Sequence, residues 1–204
     1  MRSVQNQIYT LEKYLELDHN SEEKIEFRNG HVFTLAGASA SHNRIHRNAL
    51  FYLQLKLRGR GCEVFPSDMR VGVPAYPPYR YPDLSALGGQ ASIHTLDRQD
   101  ILTNPSLIVE ILSDSTAEFD RGYKFTYYKS IPSFTEYVLI AQDRPHVTQF
   151  IKQDENNWLN REFNSIDDGF HLASLDCELE LSELYEGVEF PEISNRFNFI
   201  DEND

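Results

Sequence analysis

Cysteine is scarce in this chain of 204 residues: Cys62 and Cys177 are its only two, far apart and without C-x-x-C spacing. That excludes a disulfide scaffold and a thiolate zinc site. It fits a reducing, cytoplasmic setting with both thiols as small buried side chains. Long apolar runs are also missing. No window approaches the ~18 uninterrupted apolar residues of a membrane span, so no membrane association is expected. The opening MRSVQNQIYT has no apolar stretch, so no signal peptide is expected. There is no G-x-S-x-G, no Walker loop and no G-x-G-x-x-G, which leaves serine-elbow and classical nucleotide-binding chemistry without support. Basic charge is short as well: 19 Lys and Arg stand against 32 Asp and Glu, a formal net charge of -13. This counts against a polyanion binder, because phosphate neutralisation needs a basic footprint. Part of an acidic excess can nevertheless be metal ligands.

What is present is ordinary for one globular core, with 40% hydrophobic and 25% charged residues. A single domain is expected over residues 1–190, with 191–204 as a charged tail. Thr10 is placed to cap a helix, TLEKYLEL, with Leu11, Tyr14 and Leu15 on one face. Asn29-Gly30 between two apolar-rich runs predicts a tight hairpin. Ser41 opens a long helix whose buried stripe is Ile45, Ala49, Tyr52, Leu53 and Leu57, ended by Gly59 and Gly61. CEVFPSDMRVGV reads as a strand edged by Pro66, and YPDLSAL as a short strand. GGQASIHTLDRQDILTNP reads as a loop. SLIVEIL and FTEYVLIA are continuous apolar runs typical of strands covered on both faces. Between them DRGYKFTYYKS reads as a helix stopped by Pro132. VTQFIK and NWLNREF flank a turn at 154–157, GFHLASLDCELEL is one further extended run, and LSELYE a terminal helical turn. The order α-β-β-α-β-β-β-α-β-β-β gives an α/β or α+β fold with a mixed central sheet.

Chemistry concentrates on three residues. Glu110 lies inside Ser-Leu-Ile-Val-Glu-Ile-Leu, where a covered strand strips a carboxylate of water unless a cation compensates. Asp83 follows Pro82 at the start of another short strand. Neighbouring strands that each carry one such acid bring two carboxylates within reach of one divalent cation, and hard oxygen ligands favour Mg²⁺ or Mn²⁺. Lys124 sits among Tyr123, Phe125, Tyr127 and Tyr128, so its stem can be covered while its head reaches a polar site. The bland alternative makes it the i,i+4 surface partner of Asp120. His42 and His46 share i,i+4 spacing but lack the intervening base of H-E-x-x-H, while His19, His31, His94, His146 and His171 form no motif.

Taken in order, KIEFRNGHV, ASASHNRIHRNAL, YPDL, LIVEILS, STAEFDRGYKFTYYKSIPSFTEYVLI and LDCELELSELYE resemble the Uma-type family of bacterial endonucleases, within the PD-(D/E)XK superfamily. The resemblance spans nearly the whole chain. It implies a restriction-endonuclease-like mixed central sheet flanked by helices, with an N-terminal helix and hairpin and extra C-terminal strands. It further implies metal binding by Asp83 and Glu110, helped by the backbone carbonyl of Ile111, with Glu26 as a further acid and His42 at the start of the long helix. Mg²⁺ or Mn²⁺ is the implied cofactor, DNA the implied substrate, and a homodimer the implied assembly. The superfamily's Glu-x-Lys would put lysine at position 112, where this chain has Leu112, and Lys124 on the following helix takes that role. Two other readings stay open: a degenerate, non-catalytic binding module, and a metal-dependent hydrolase of small phosphoesters.

Overall fold

The computed structural model describes residues 2–3, 7–35, 37–96, 98–113 and 116–190. The expected tail at 191–204 lies outside the described residues. In chain order the elements begin with β1 (Arg2–Ser3), α1 (Leu11–Asn20), β2 (Ile25–Arg28), β3 (His31–Thr34), α2 (Ala40–Leu57), β4 (Cys62–Pro66) and β5 (Arg70–Gly72). Then come β6 (Tyr79–Arg80), β7 (Leu84–Gly88), β8 (Ile93–Leu96), β9 (Gln99–Leu102) and β10 (Leu107–Leu112). A helical segment follows: α3 (Ala117–Phe119), a π turn (Asp120–Lys124) and α4 (Phe125–Tyr128). The chain closes with β11 (Glu136–Ala141), β12 (Val147–Lys152), β13 (Trp158–Phe163), β14 (Gly169–Leu172), β15 (Cys177–Glu180) and α5 (Leu181–Leu184).

The central sheet has six strands in the order β13-β12-β11-β10-β7-β4. Only β10 and β11 run parallel, joined by the helical segment, and the other pairs are antiparallel. The two apolar runs expected to be covered on both faces are this parallel pair, and every residue of both strands is buried.

Local chemistry explains the supporting elements. Thr10 caps α1, its Oγ1 accepting from the Lys13 N–H at 3.2 Å. Asn29 and Gly30 adopt φ of 48° and 85°, as the tight hairpin between β2 and β3 requires. The long helix starts slightly earlier than expected, because Ser39 rather than Ser41 caps it by accepting from His42 N–H at 3.0 Å. Ile45, Ala49, Leu53 and Leu57 recur every four residues and face the sheet, with Tyr52 only partly buried beside them. Gly59 at φ +76° and Gly61 at +68° turn the chain out of the helix.

Three apolar clusters result. Leu107, Val109 and Ile111 point to one face of the sheet, under α2, α5 and the β14–β15 hairpin. Ile108 and Leu112 point to the other, under Phe125, Tyr127 and Tyr128 of α4. The third joins Tyr14 of α1 to Ile25, Val32, Tyr79 and Ile101.

Several expectations need correction. The segment 88–105 is not a loop: it carries β8 and β9, which join β5 and β6 in a four-stranded sheet. GFHLASLDCELEL is not one strand but the hairpin β14–β15, turning through Asp176 at φ 51°. The helix after β10 begins at Ala117, before Asp120, and widens into a π turn. Cys62 is only half-buried, whereas Cys177 is buried as expected.

Candidate active site

The site is built where β7 meets β10. Leu84 pairs with Val109, so Asp83, one residue earlier on an antiparallel neighbour, stands beside Glu110. Asp83 accepts the Ile111 N–H through Oδ2 at 2.6 Å, tying it to the strand that carries Glu110. Its Oδ1 lies 3.2 Å from His42 Nε2, and its backbone oxygen 3.0 Å from His46 Nε2. The i,i+4 histidines at the start of α2 therefore grip Asp83 from one side. Burial opposes ionisation of Asp83, but the His42 hydrogen bond, the nearby Lys124 charge and the Ile111 N–H hold its pKa below the usual carboxylate range.

Glu110 has its side chain on the face of β10 that the helical segment covers, between Ile108 and Leu112. Tyr128 of α4 donates to its Oε1 at 2.9 Å, and Lys124 Nζ lies 2.7 Å from the same oxygen. Lys124 also reaches Asp120 Oδ1 at 3.4 Å. The bland reading of Lys124 as a surface partner of Asp120 is thus overturned: both side chains are buried, 6% and 3% exposed. Burial raises the Glu110 pKa well above its ordinary value, and Asp120 and Asp83 push it the same way against Lys124. Burial alone would discharge Lys124, but Glu110, Asp120, Glu26 and Asp83 outweigh it and keep the ammonium charged.

Glu26 is fully buried rather than solvated. Its Oε2 accepts from Arg28 at 2.7 Å and its Oε1 from the Tyr81 N–H at 3.1 Å. Burial works against its charge, yet Lys124, Arg28 and Arg80 hold its pKa low. Arg28 is itself fixed, its guanidinium 3.5 Å from the Phe119 ring centroid. With both oxygens engaged, Glu26 supports Lys124 electrostatically.

Asp83, Glu110, Ile111, Asp120, Lys124 and His42 line a single cavity of about 620 Å³. Asp120 and His46 belong to this wall but carried no signal of their own in the sequence beyond their i,i+4 spacings. Tyr128 was visible only as one of several aromatics. Among the described residues, no group of three or more His, Cys, Asp or Glu side chains is placed to hold a metal ion by itself. The carboxylate oxygens of Asp83 and Glu110 on one wall are of the donor type that a hard divalent cation takes.

The fold is an α+β architecture with a mixed central sheet. Among solved structures the chain is similar to one titled "Crystal structure of a putative nuclease belonging to DUF820" from Anabaena variabilis, with a TM-score of 0.70 and 18% identity, covering 88% of this chain and 99% of that one. The sequence model of the Uma2 family, described as "Putative restriction endonuclease", matches residues 11–183, and the chain belongs to that family. Two relatives from Synechocystis sp. are similar along most of their length. Uncharacterized protein sll1609 is 40% identical over 152 residues, 74% of this chain and 85% of the relative. Uncharacterized protein slr1290 is 28% identical over 184 residues, 88% of this chain and 92% of the relative.

Proposed function

We propose that this chain is a divalent-metal-dependent nuclease that hydrolyses phosphodiester bonds in DNA. The observation that carries the reading is the meeting of Asp83, Glu110 and Lys124 on one cavity wall, with Asp120 adding negative charge that Lys124 alone does not balance. Membership of a family described as "Putative restriction endonuclease" supports it.

Asp83, Glu110 and the backbone carbonyl of Ile111 would hold Mg²⁺ or Mn²⁺. When bound, such an ion supplies Lewis acidity and lowers the pKa of a coordinated water. His42 fixes the Asp83 carboxylate from Oδ1 while the Ile111 N–H fixes Oδ2, so the acid is set before any substrate arrives. Tyr128 holds Glu110 in the same way. Lys124 keeps a permanent positive charge, available to a phosphate oxygen as negative charge grows on it. The cavity is large enough to admit a phosphate and its flanking sugar, and Glu110 on its wall is only 3% exposed.

The reading is tested by Mn²⁺ titration calorimetry and single-turnover cleavage of plasmid DNA, comparing wild type with Glu110→Gln. Wild type should bind Mn²⁺ and cut, and the variant should do neither. Equal Mn²⁺ binding by the variant would place the ion elsewhere and overturn the assignment.

A further inference from the structure

The chain's charge is segregated. Residues 27–62 contain no Asp or Glu at all, although the chain has 32 of them, and they hold six basic residues: Arg28, Arg44, Arg47, Lys56, Arg58 and Arg60. The rest of the chain therefore carries -19 against +6 here, which accounts for the overall -13. Half of that positive stretch is α2, the helix whose first two turns contribute His42 and His46 to the cavity.

On α2, Ile45, Ala49, Leu53 and Leu57 face the core. The opposite face carries Arg44, Arg47, Phe51, Leu55 and, just past the last turn, Arg58. All five are exposed, and Phe51 and Leu55 are unusually so for large apolar side chains, at 56% and 54%. Arg44 and Arg58 form no ion pair among the described residues, and Arg47 bonds only to the amide oxygen of its neighbour Asn48. An arginine that is exposed and unpaired in so acidic a chain is held ready for an anion from outside.

We infer that the exposed face of α2 is the surface along which duplex DNA lies, its phosphates on Arg44, Arg47 and Arg58 and its sugar edges on Phe51 and Leu55, leading one strand to the cavity at the helix's first turn. This rests on the nuclease reading for its purpose but not for its test. From Arg44 to Arg58 the ridge spans about 21 Å at 1.5 Å per residue. That is about six base pairs at 3.4 Å each, and a stiff helix suits a stiff duplex. A second copy of the chain is the other candidate occupant. In a two-fold antiparallel contact centred on Phe51 and Leu55, Arg47 of one copy would approach Arg58 of the other. Unscreened like charges at both ends oppose that assembly, whereas a polyanion complements them.

The test measures binding of a fluorescein-labelled duplex of about 30 base pairs by anisotropy, in EDTA, across salt concentrations. Without metal there is no chemistry, so the result does not depend on cleavage. Each phosphate contact contributes roughly 0.9 to the slope of log K against log salt. The triple variant Arg44→Ser, Arg47→Ser, Arg58→Ser should flatten the slope by two to three of those steps. The lysine triple variant should keep it, since charge rather than the guanidinium fork is what phosphates require here. Arg144→Ser, whose arginine is paired with Asp143 on an exposed turn, should leave it unchanged. Absence of duplex binding by wild type at low salt overturns the proposal, and so does an unaltered slope in the serine variant. A serine variant that changes only the oligomeric state by light scattering overturns it too and gives the face to a second copy. The nuclease reading is judged separately by Mn²⁺-dependent hydrolysis of bis(p-nitrophenyl) phosphate, which needs no DNA path.

Discussion

Replacing Lys124 by Met keeps the length and most of the volume of the stem while removing the charge. In the folded chain that leaves Glu110 buried beside Asp120 and Asp83, with Tyr128 as its remaining donor. Breaking a buried pair by removing one partner costs about 3–5 kcal/mol, because the surviving charge has lost its water and gained nothing. An exposed i,i+4 pair would lose less than about 0.5 kcal/mol. The two pictures of Lys124 therefore differ by a factor of about ten in stability loss. Urea denaturation at pH 8 followed by circular dichroism should show the larger loss. The pH dependence carries the sign. Burial and neighbouring acids already raise the Glu110 pKa, and removing Lys124 raises it further. A carboxyl with a raised folded pKa gives stability that is full below the unfolded pKa of about 4.3 and is lost as pH rises through the folded value. The variant's deficit should accordingly shrink as pH falls toward 5. Adding Glu110→Gln should recover much of the loss, since no uncompensated charge then remains. A loss below about 1 kcal/mol at pH 8, or a deficit that does not change with pH, refutes the buried-pair argument.

Three further outcomes follow from the same contacts. His42→Ala should weaken Mn²⁺ binding by about 10–100-fold without unfolding the chain, because it frees Asp83 Oδ1 from its orienting partner; calorimetry decides it, and an unchanged affinity removes His42 from the site. Glu136→Leu should destabilise by on the order of 3 kcal/mol, since this buried carboxylate receives Gln149 Nε2 at 2.6 Å, the Ser174 N–H at 2.9 Å and Ser174 Oγ at 2.6 Å, and all three donors lose that acceptor; a urea midpoint within error of wild type would contradict it. Burial pushes the Cys177 thiol up to about 11, so iodoacetamide at pH 7.5 should label Cys62 first; with the folded pKa above the unfolded ~8.5, stability should fall as pH rises from there toward 11, and mass spectrometry showing Cys177 labelled first would refute the burial.

The parts of the fold legible in the sequence are those where one local rule decides the outcome. Asn29-Gly30 fixed a hairpin by its positive φ values, Ile45 to Leu57 fixed a helix face by period, and the two apolar runs marked β10 and β11 as strands covered on both faces. What escaped lacked such a rule. β8 is almost wholly exposed and β9 buries only Ile101 and Leu102, so no alternation marks them, and the chain turns at φ +66° on Arg98, a residue type that carries no turn signal. The π turn at Asp120–Lys124 holds Gly122, but a single glycine inside a helical pattern does not announce a π turn. At the site, residue type and setting singled out Asp83, Glu110 and Lys124, and the structure sets all three on one cavity wall. The role of Asp120 was not, because an i,i+4 acid and base read as a surface pair until tertiary packing buries them. The full engagement of Glu26 by Arg28 and Tyr81 is likewise a tertiary fact.

The position of the lysine follows from which side of the sheet is covered. Side chains alternate along β10, so Glu110 and Leu112 share a face while Val109 and Ile111 share the other. A lysine at 112 would reach the region of Glu110 from the strand itself, one residue pair along. Here Leu112 is spent on the apolar cluster beneath α4, and the helical segment that covers this face supplies the cation from above, with Lys124 2.7 Å from Glu110. The wider π turn at Asp120–Lys124 sets both charged residues on the inward side of the segment, where a regular helical turn carries apolar cover in α4. Strand and helix solutions place an ammonium over the same carboxylate. The helix solution has a consequence the strand solution lacks: the lysine's position depends on the packing of Phe125, Tyr127 and Tyr128 against the sheet as well as on the backbone of β10. Loosening that packing moves the cation away from the acids while leaving Asp83 and Glu110 in place.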